Sequence, residues 1–250
     1  MKNKASLSFV FIIMLTLLQT AISLTPGILF LRSSSQGPAI VTYMIIYLLV
    51  SDFFQIFGKL AYKKGKFISL PAYAVKLGIS AILVFMIAKQ TAPQFAIVLI
   101  AYELFQILIF SKQFFYIDSL LYSVTNAFFK GIVFNQLLTI NYPFNYQFDL
   151  MKPFIFAFCL ILVLTILSQG MYSFLSKQVL FLVLTILGTI MVYYLLIQQF
   201  IGNDLTLLKL ILFTICHLAS FYFFLRSKNA KKKELILNLF TLIGLIIYYI

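Results

Sequence analysis

Seven side chains in this sequence could move a proton at neutral pH or hold a hard metal: Asp52, Glu103, Asp118, Asp149, Asp204, Glu234 and the single histidine, His217. No two of the acids lie within four residues of each other, so the paired carboxylates that usually hold Mg²⁺ or share general acid–base work on one helical turn are missing. One histidine cannot build a His-based metal site. His217 and Ser220 are three apart, a spacing that puts both on one helix face. That signal for nucleophilic chemistry is weak, because a helical serine ordinarily bonds back to its own backbone and no acid nearby in sequence orients the histidine. There is no His-Glu-x-x-His and no P-loop. Cys159 and Cys216 show neither metal-site nor disulfide-framework spacing. The residues alone therefore nominate no catalytic group and no metal site.

The lysines carry more information. Lys59, Lys63, Lys64 and Lys66 form a short basic run able to neutralise a diphosphate or an anionic lipid head, although setting membrane topology is the plainer role for such a run. The run Lys231-Lys232-Lys233 reads the same way. Five ionisable residues, Asp52, Lys76, Glu103, Asp118 and Lys130, fall inside apolar stretches. Such groups are functional candidates by default, since burying them in lipid costs several kcal/mol. The plain expectation is pairing with neighbours for Asp118 and Lys130, and snorkelling to an interface for Lys76.

The elements that must position these residues are membrane helices. Hydrophobic residues make up 63% of the 250 and charged residues only 10%, against about 25% charged in a soluble domain. That excludes a soluble fold. Nine stretches approach the roughly 20 apolar residues a spanning helix needs: 8–31, 38–58, 69–88, 93–111, 114–138, 153–175, 178–200, 204–226 and 234–250. Pro38, Pro71, Pro93 and Pro153 fall in first helical turns, where a missing N–H costs nothing. Pro26 lies inside the first stretch and predicts a kink. The fourth and fifth stretches, separated only by Ser111-Lys112-Gln113, predict a sharp hairpin or a broken helix. The basic start Met1-Lys2-Asn3-Lys4 has a signal-peptide look, but the apolar run behind it is too long for an h-region, so a retained first helix is expected. No two glycines are four apart, so close helix packing of the GxxxG kind is not signalled.

The charge of +13 sits in the gaps between apolar runs, which excludes nucleic acid in favour of topology control. With the N-terminus inside, Lys2, Lys4, Lys59, Lys63, Lys64, Lys66, Lys112, Lys177, Arg226, Lys228, Lys231, Lys232 and Lys233 lie on the inner side, against Arg32, Lys89, Lys152 and Lys209 outside. The expected molecule is one all-α domain over residues 1–250. It is a multi-pass bundle of about nine helices in the cell membrane, N-terminus cytoplasmic and C-terminus outside.

Nine helices, an inner N-terminus and the polar inner end of the second helix, Ser51-Asp52-Phe53-Phe54-Gln55-Ile56-Phe57-Gly58-Lys59, together resemble the UbiA superfamily of intramembrane prenyltransferases. The dihydroxynaphthoate-prenylating members look nearest. The opening Leu24-Thr25-Pro26-Gly27 and the stretches Phe115–Ser119 and Lys130–Phe134 are similar to corresponding family regions. The resemblance implies a cavity for an isoprenoid diphosphate or a quinone, with Asp52, Gln55, Lys59 and Lys63 as substrate-binding residues. An active member would use Mg²⁺ on two Asp-rich motifs. Here Gln55 stands where the first motif expects a second Asp, and the second motif, around Ser168–Gln178, has no acid. The resemblance therefore implies a divergent or catalytically degenerate prenyltransferase. A transport, export or immunity component acting with a partner is the competing expectation, since such proteins need no acid cluster.

Overall fold

A computed structural model describes residues 2–31, 38–63, 68–91, 93–110, 119–139, 148–171 and 178–250. All regular structure among them is helical, as expected of a chain that must satisfy its backbone within lipid. In order come α1 (Lys2–Leu31), α2 (Pro38–Lys63), α3 (Leu70–Gln90), α4 (Gln94–Phe110), α5 (Leu120–Phe128), a π turn (Phe129–Val133) and α6 (Phe134–Thr139). A 3₁₀ turn (Phe148–Phe154), α7 (Ile155–Met171), α8 (Gln178–Ile201), α9 (Leu207–Arg226) and α10 (Ala230–Tyr249) follow.

Six of these helices are long and apolar enough to cross a membrane: Phe9–Leu31, Ile40–Ala61, Leu70–Gln90, Lys152–Gln169, Leu182–Ile201 and Leu207–Arg226. The chain is thus a multi-pass, lipid-embedded helix bundle. The remaining expected spans differ for visible reasons. α4 is apolar but only 17 residues long, about 25 Å at 1.5 Å per residue. The segment expected at 114–138 is divided by the π turn, and its beginning lies outside the described residues. α10 opens on Lys231-Lys232-Lys233-Glu234 and so dilutes its apolar length.

The bundle is organised around α1 and α7. α1 packs on α2, α6 and α10, while α7 packs on α5, the π turn, α8 and α10. Buried residues make up 61% of the α7 span but 11% of α8 and of α9, which places those two at the lipid-facing periphery. Side chains such as Ile190 and Leu218 accordingly point outward. Without water to flee, the helices are held by van der Waals fit and interhelical hydrogen bonds. The fit is closest at single glycines rather than at a GxxxG pair. A Cβ on Gly131 would stand 2.5 Å from the Cα of Phe158 on α7. A Cβ on Gly27 would stand 2.9 Å from Asn135 Oδ1 and 3.1 Å from Asn135 Cα.

Pro26 does not end α1, which runs through it to Leu31. The Gly27 N–H instead crosses to α6 and donates to Asn135 Oδ1 at 2.7 Å. Asn135 Nδ2 in turn donates to the carbonyls of Lys130 and Gly131, each at 3.0 Å. A π turn shifts the backbone ladder by one residue, and Asn135 ties this one to the proline-bearing segment of α1.

Candidate functional site

Polar side chains recur at helical spacing on the faces that meet between α1, α2, α5, α7 and α10. On α2 they are Asp52, Gln55 and Lys59, a stripe of i, i+3, i+7. Tyr122, Asn126 and Lys130 stand four apart, continuing from α5 into the π turn. Thr165, Ser168 and Gln169 come from α7, Glu234 and Asn238 from α10, and Gln19 and Ser23 from α1. Apart from Asp52, these residues line one chamber of about 40 Å³. Because a buried water needs on the order of 10–15 Å³ of such volume, the chamber has room for a few waters at most.

Asp52, with no exposed surface, lies at the base of this network. Its Oδ1 is 2.6 Å from Lys130 Nζ, and its Oδ2 accepts from Thr20 at 2.9 Å. Lys130 also donates to Gln55 Oε1 at 3.1 Å and to Gln19 Oε1 at 3.5 Å. Its ammonium is therefore held by three oxygens from α1 and α2. Gln55 turns its amide the other way, donating to Tyr122 Oη at 2.8 Å and Asn126 Oδ1 at 3.1 Å.

A second charged group closes the chamber one turn further along α2. Lys59 Nζ donates to Ser168 Oγ at 2.7 Å and to Glu234 Oε1 at 3.3 Å, and Ser168 donates to the same Glu234 oxygen at 2.8 Å. This latch joins α2, α7 and α10. Ser123 donates to Gln169 Oε1 at 2.5 Å and fastens α5 to α7. One wall atom is left over: Asn238 donates to the Glu234 carbonyl at 2.8 Å, while its buried Oδ1 receives no donor.

The donor set does not suit Mg²⁺. Both oxygens of Asp52 are engaged, one by an ammonium, and no group of three His, Cys, Asp or Glu side chains comes together among the described residues. Glu234, the one further carboxylate in the wall, already takes Lys59 and Ser168, so a hard cation that wants six oxygen ligands finds otherwise only neutral amides and hydroxyls beside resident positive charges.

Of the residues expected to bind substrate, Gln55 and Lys59 line the chamber and Asp52 lies at its base. Lys63 ends α2, and its side chain lies outside the described residues, as do Lys64, Lys66, Asp118 and residues 172–177. Ser168 and Gln169, from the expected α7 segment, are in the wall. Lys130 pairs with a neighbour as expected. Lys76 does not snorkel: it is buried and forms an ion pair with Glu103 of α4, because the α3–α4 hairpin folds the two residues against each other. His217 Nδ1 lies 3.0 Å from Tyr193 Oη rather than being oriented by an acid. Sequence reasoning missed Gln19, Tyr122, Asn126, Thr165, Glu234 and Asn238 as one site, although their four-residue spacings were readable. Neither the protein-family models, nor the curated proteins, nor the solved structures contain a match to this chain.

Proposed function

We propose that this chain is a catalytically degenerate, UbiA-like membrane protein that holds the neutral head of an isoprenoid quinone and has no Mg²⁺-dependent transferase activity. In this reading nine segments cross the cell membrane, with the N-terminus cytoplasmic and the C-terminus outside. The single observation that carries it is the charge balance of the chamber: Lys130 is neutralised by Asp52 and Lys59 by Glu234. A diphosphate would bring several uncompensated negative charges into a low-dielectric site, at a cost of several kcal/mol per charge. A quinone or hydroquinone brings none. Its oxygens accept from Gln55 in place of Tyr122 and Asn126, which now take the two N–H groups of that amide, and a ring hydroxyl supplies the donor that Asn238 Oδ1 lacks.

Rings need more room than the chamber now offers, since a benzene-sized guest fills a cavity on the order of 150 Å³. Binding therefore requires the Lys59–Ser168–Glu234 latch to part, letting α10 move away from α2 and α7. The same completeness of pairing supports the competing reading, a transport, export or immunity component in which this network only stiffens a bundle that works with a partner. Mass spectrometry of lipids extracted from the purified protein separates the two. A prenylated quinone at near-equal molar amount, lost in Gln55→Leu, supports the quinone site. Only bulk lipid, together with a copurifying membrane protein, supports the partner reading.

A further inference from the structure

α8 and α9 follow each other through the short turn at 202–206, yet they pack mainly on different neighbours, α8 on α7 and α9 on α10. Between them opens an apolar crevice of about 380 Å³ whose floor is α7 and α10, with Leu164, Ile186, Thr189, Phe221, Phe224 and Phe240 in its walls. Towards the 202–206 turn it is barred by the Tyr193–His217 hydrogen bond and the Tyr193–Phe213 ring contact. Towards the other end Phe224 is roofed by Lys233, whose ammonium stands 4.6 Å from the ring centroid. Beyond that roof lies the α9–α10 turn with Arg226, Lys228 and Lys232 exposed. The acid of that stretch, Glu234, is buried and turned inward to Lys59 and Ser168.

We propose that the crevice seats one acyl chain of an anionic phospholipid from the surrounding bilayer, with its phosphate on the basic turn between α9 and α10. The outward sides of Ile186 and Phe221 are more than half exposed, so a lipid tail reaches the crevice sideways. A partner helix about 10–12 Å across is too wide for a slot of this volume, whereas a single hydrocarbon chain is not. Charge complementarity selects the head: each basic residue near the surface strengthens anionic lipid binding roughly fivefold, and a zwitterionic head gains little. The crevice and the central chamber lie on opposite sides of Leu164, which lines both, and the proposal does not depend on the quinone reading.

The test is native mass spectrometry of the full-length protein titrated with phosphatidylglycerol and with phosphatidylcholine of the same chains. One phosphatidylglycerol should be retained well below the concentration at which phosphatidylcholine binds. Lys228→Gln/Lys232→Gln/Lys233→Gln should weaken it on the order of a hundredfold, from about fivefold per charge. Thr189→Phe, which fills the crevice without touching a charge, should also abolish retention. Ser220→Leu serves the same purpose if that variant does not fold. Equal binding of the two lipids overturns the proposal, as does unchanged preference in the triple variant or unchanged retention in both crevice variants. So does displacement by glycerophosphate alone, or a protein dimer in place of the lipid adduct.

Discussion

Replacing Lys130 with methionine removes the ammonium that Asp52 faces and leaves a carboxylate with no exposed surface and one remaining donor, Thr20. Gln55 Oε1 loses its donor at the same time. Breaking a buried pair by removing one partner costs about 3–5 kcal/mol, because the other charge stays behind uncompensated. The lower end applies here, since the unfolded chain in a micelle also finds partners for its polar groups. About 3 kcal/mol corresponds to a fall in melting temperature of roughly 6–12 °C for a chain of this size. Asp52→Asn should cost less, because Lys130 keeps Gln55, Gln19 and the amide oxygen as acceptors. The Asp52→Asn/Lys130→Met double variant should recover most of the loss. Thermal melts in one detergent for all four proteins read this cycle. A Lys130→Met variant that melts within a degree of the native protein, or a double variant as unstable as the two single losses added together, refutes the buried-pair reasoning.

Four further outcomes are expected, three from the same geometry and one from the distribution of Lys and Arg. Gly131→Ala should lower stability by about 1–3 kcal/mol, because its Cβ meets the backbone of Phe158. Gly78→Ala, with nothing within 4 Å of the new Cβ, should raise stability by up to about 1 kcal/mol through helix propensity; paired melts check both. Lys76→Met should destabilise more than Lys76→Met/Glu103→Gln, since the single change leaves the buried Glu103 carboxylate without its cation. A larger loss in the double variant would contradict the pair. Reporter fusions should place Lys232 in the cytoplasm and Tyr146 outside, from the inner–outer asymmetry of Lys and Arg; a cytoplasmic Tyr146 would overturn the topology and the UbiA-like reading with it.

The helical, membrane-embedded class was legible in composition alone, because a bilayer permits few other solutions for such a chain. Asp52 was legible too, as an acid too costly to leave facing lipid. Its partner was not. Lys130 meets it only because the π turn and Asn135 hold that part of the chain against α1 and α2, and no local pattern announces a π turn. Lys76 was misjudged for the same reason, since its fate depended on Glu103 arriving from the other arm of a hairpin. Close approaches at Gly27 and Gly131 escaped the sequence because each needs only one glycine facing another helix's backbone. The polar stripes of α5, α7 and α10 lay within reach of a period count, but which stripes face each other is decided by packing. Six of the nine expected spans stand out as long apolar helices; apolar length and helix boundaries part company at the other three, at α4, the π turn and the lysine-headed α10.

The most direct test of the quinone reading is a titration of the purified protein in lipid nanodiscs with a short-tailed prenylated quinone, with Mg²⁺ and with EDTA. Saturable binding should be the same in both conditions, because the ammonium of Lys130 already neutralises Asp52 and the carboxylate has no oxygen free for a metal. Binding should fall in Gln55→Leu. Absence of saturable quinone binding contradicts the proposal, as does robust, EDTA-sensitive transfer when the same protein is given a polyprenyl diphosphate and an aromatic acceptor.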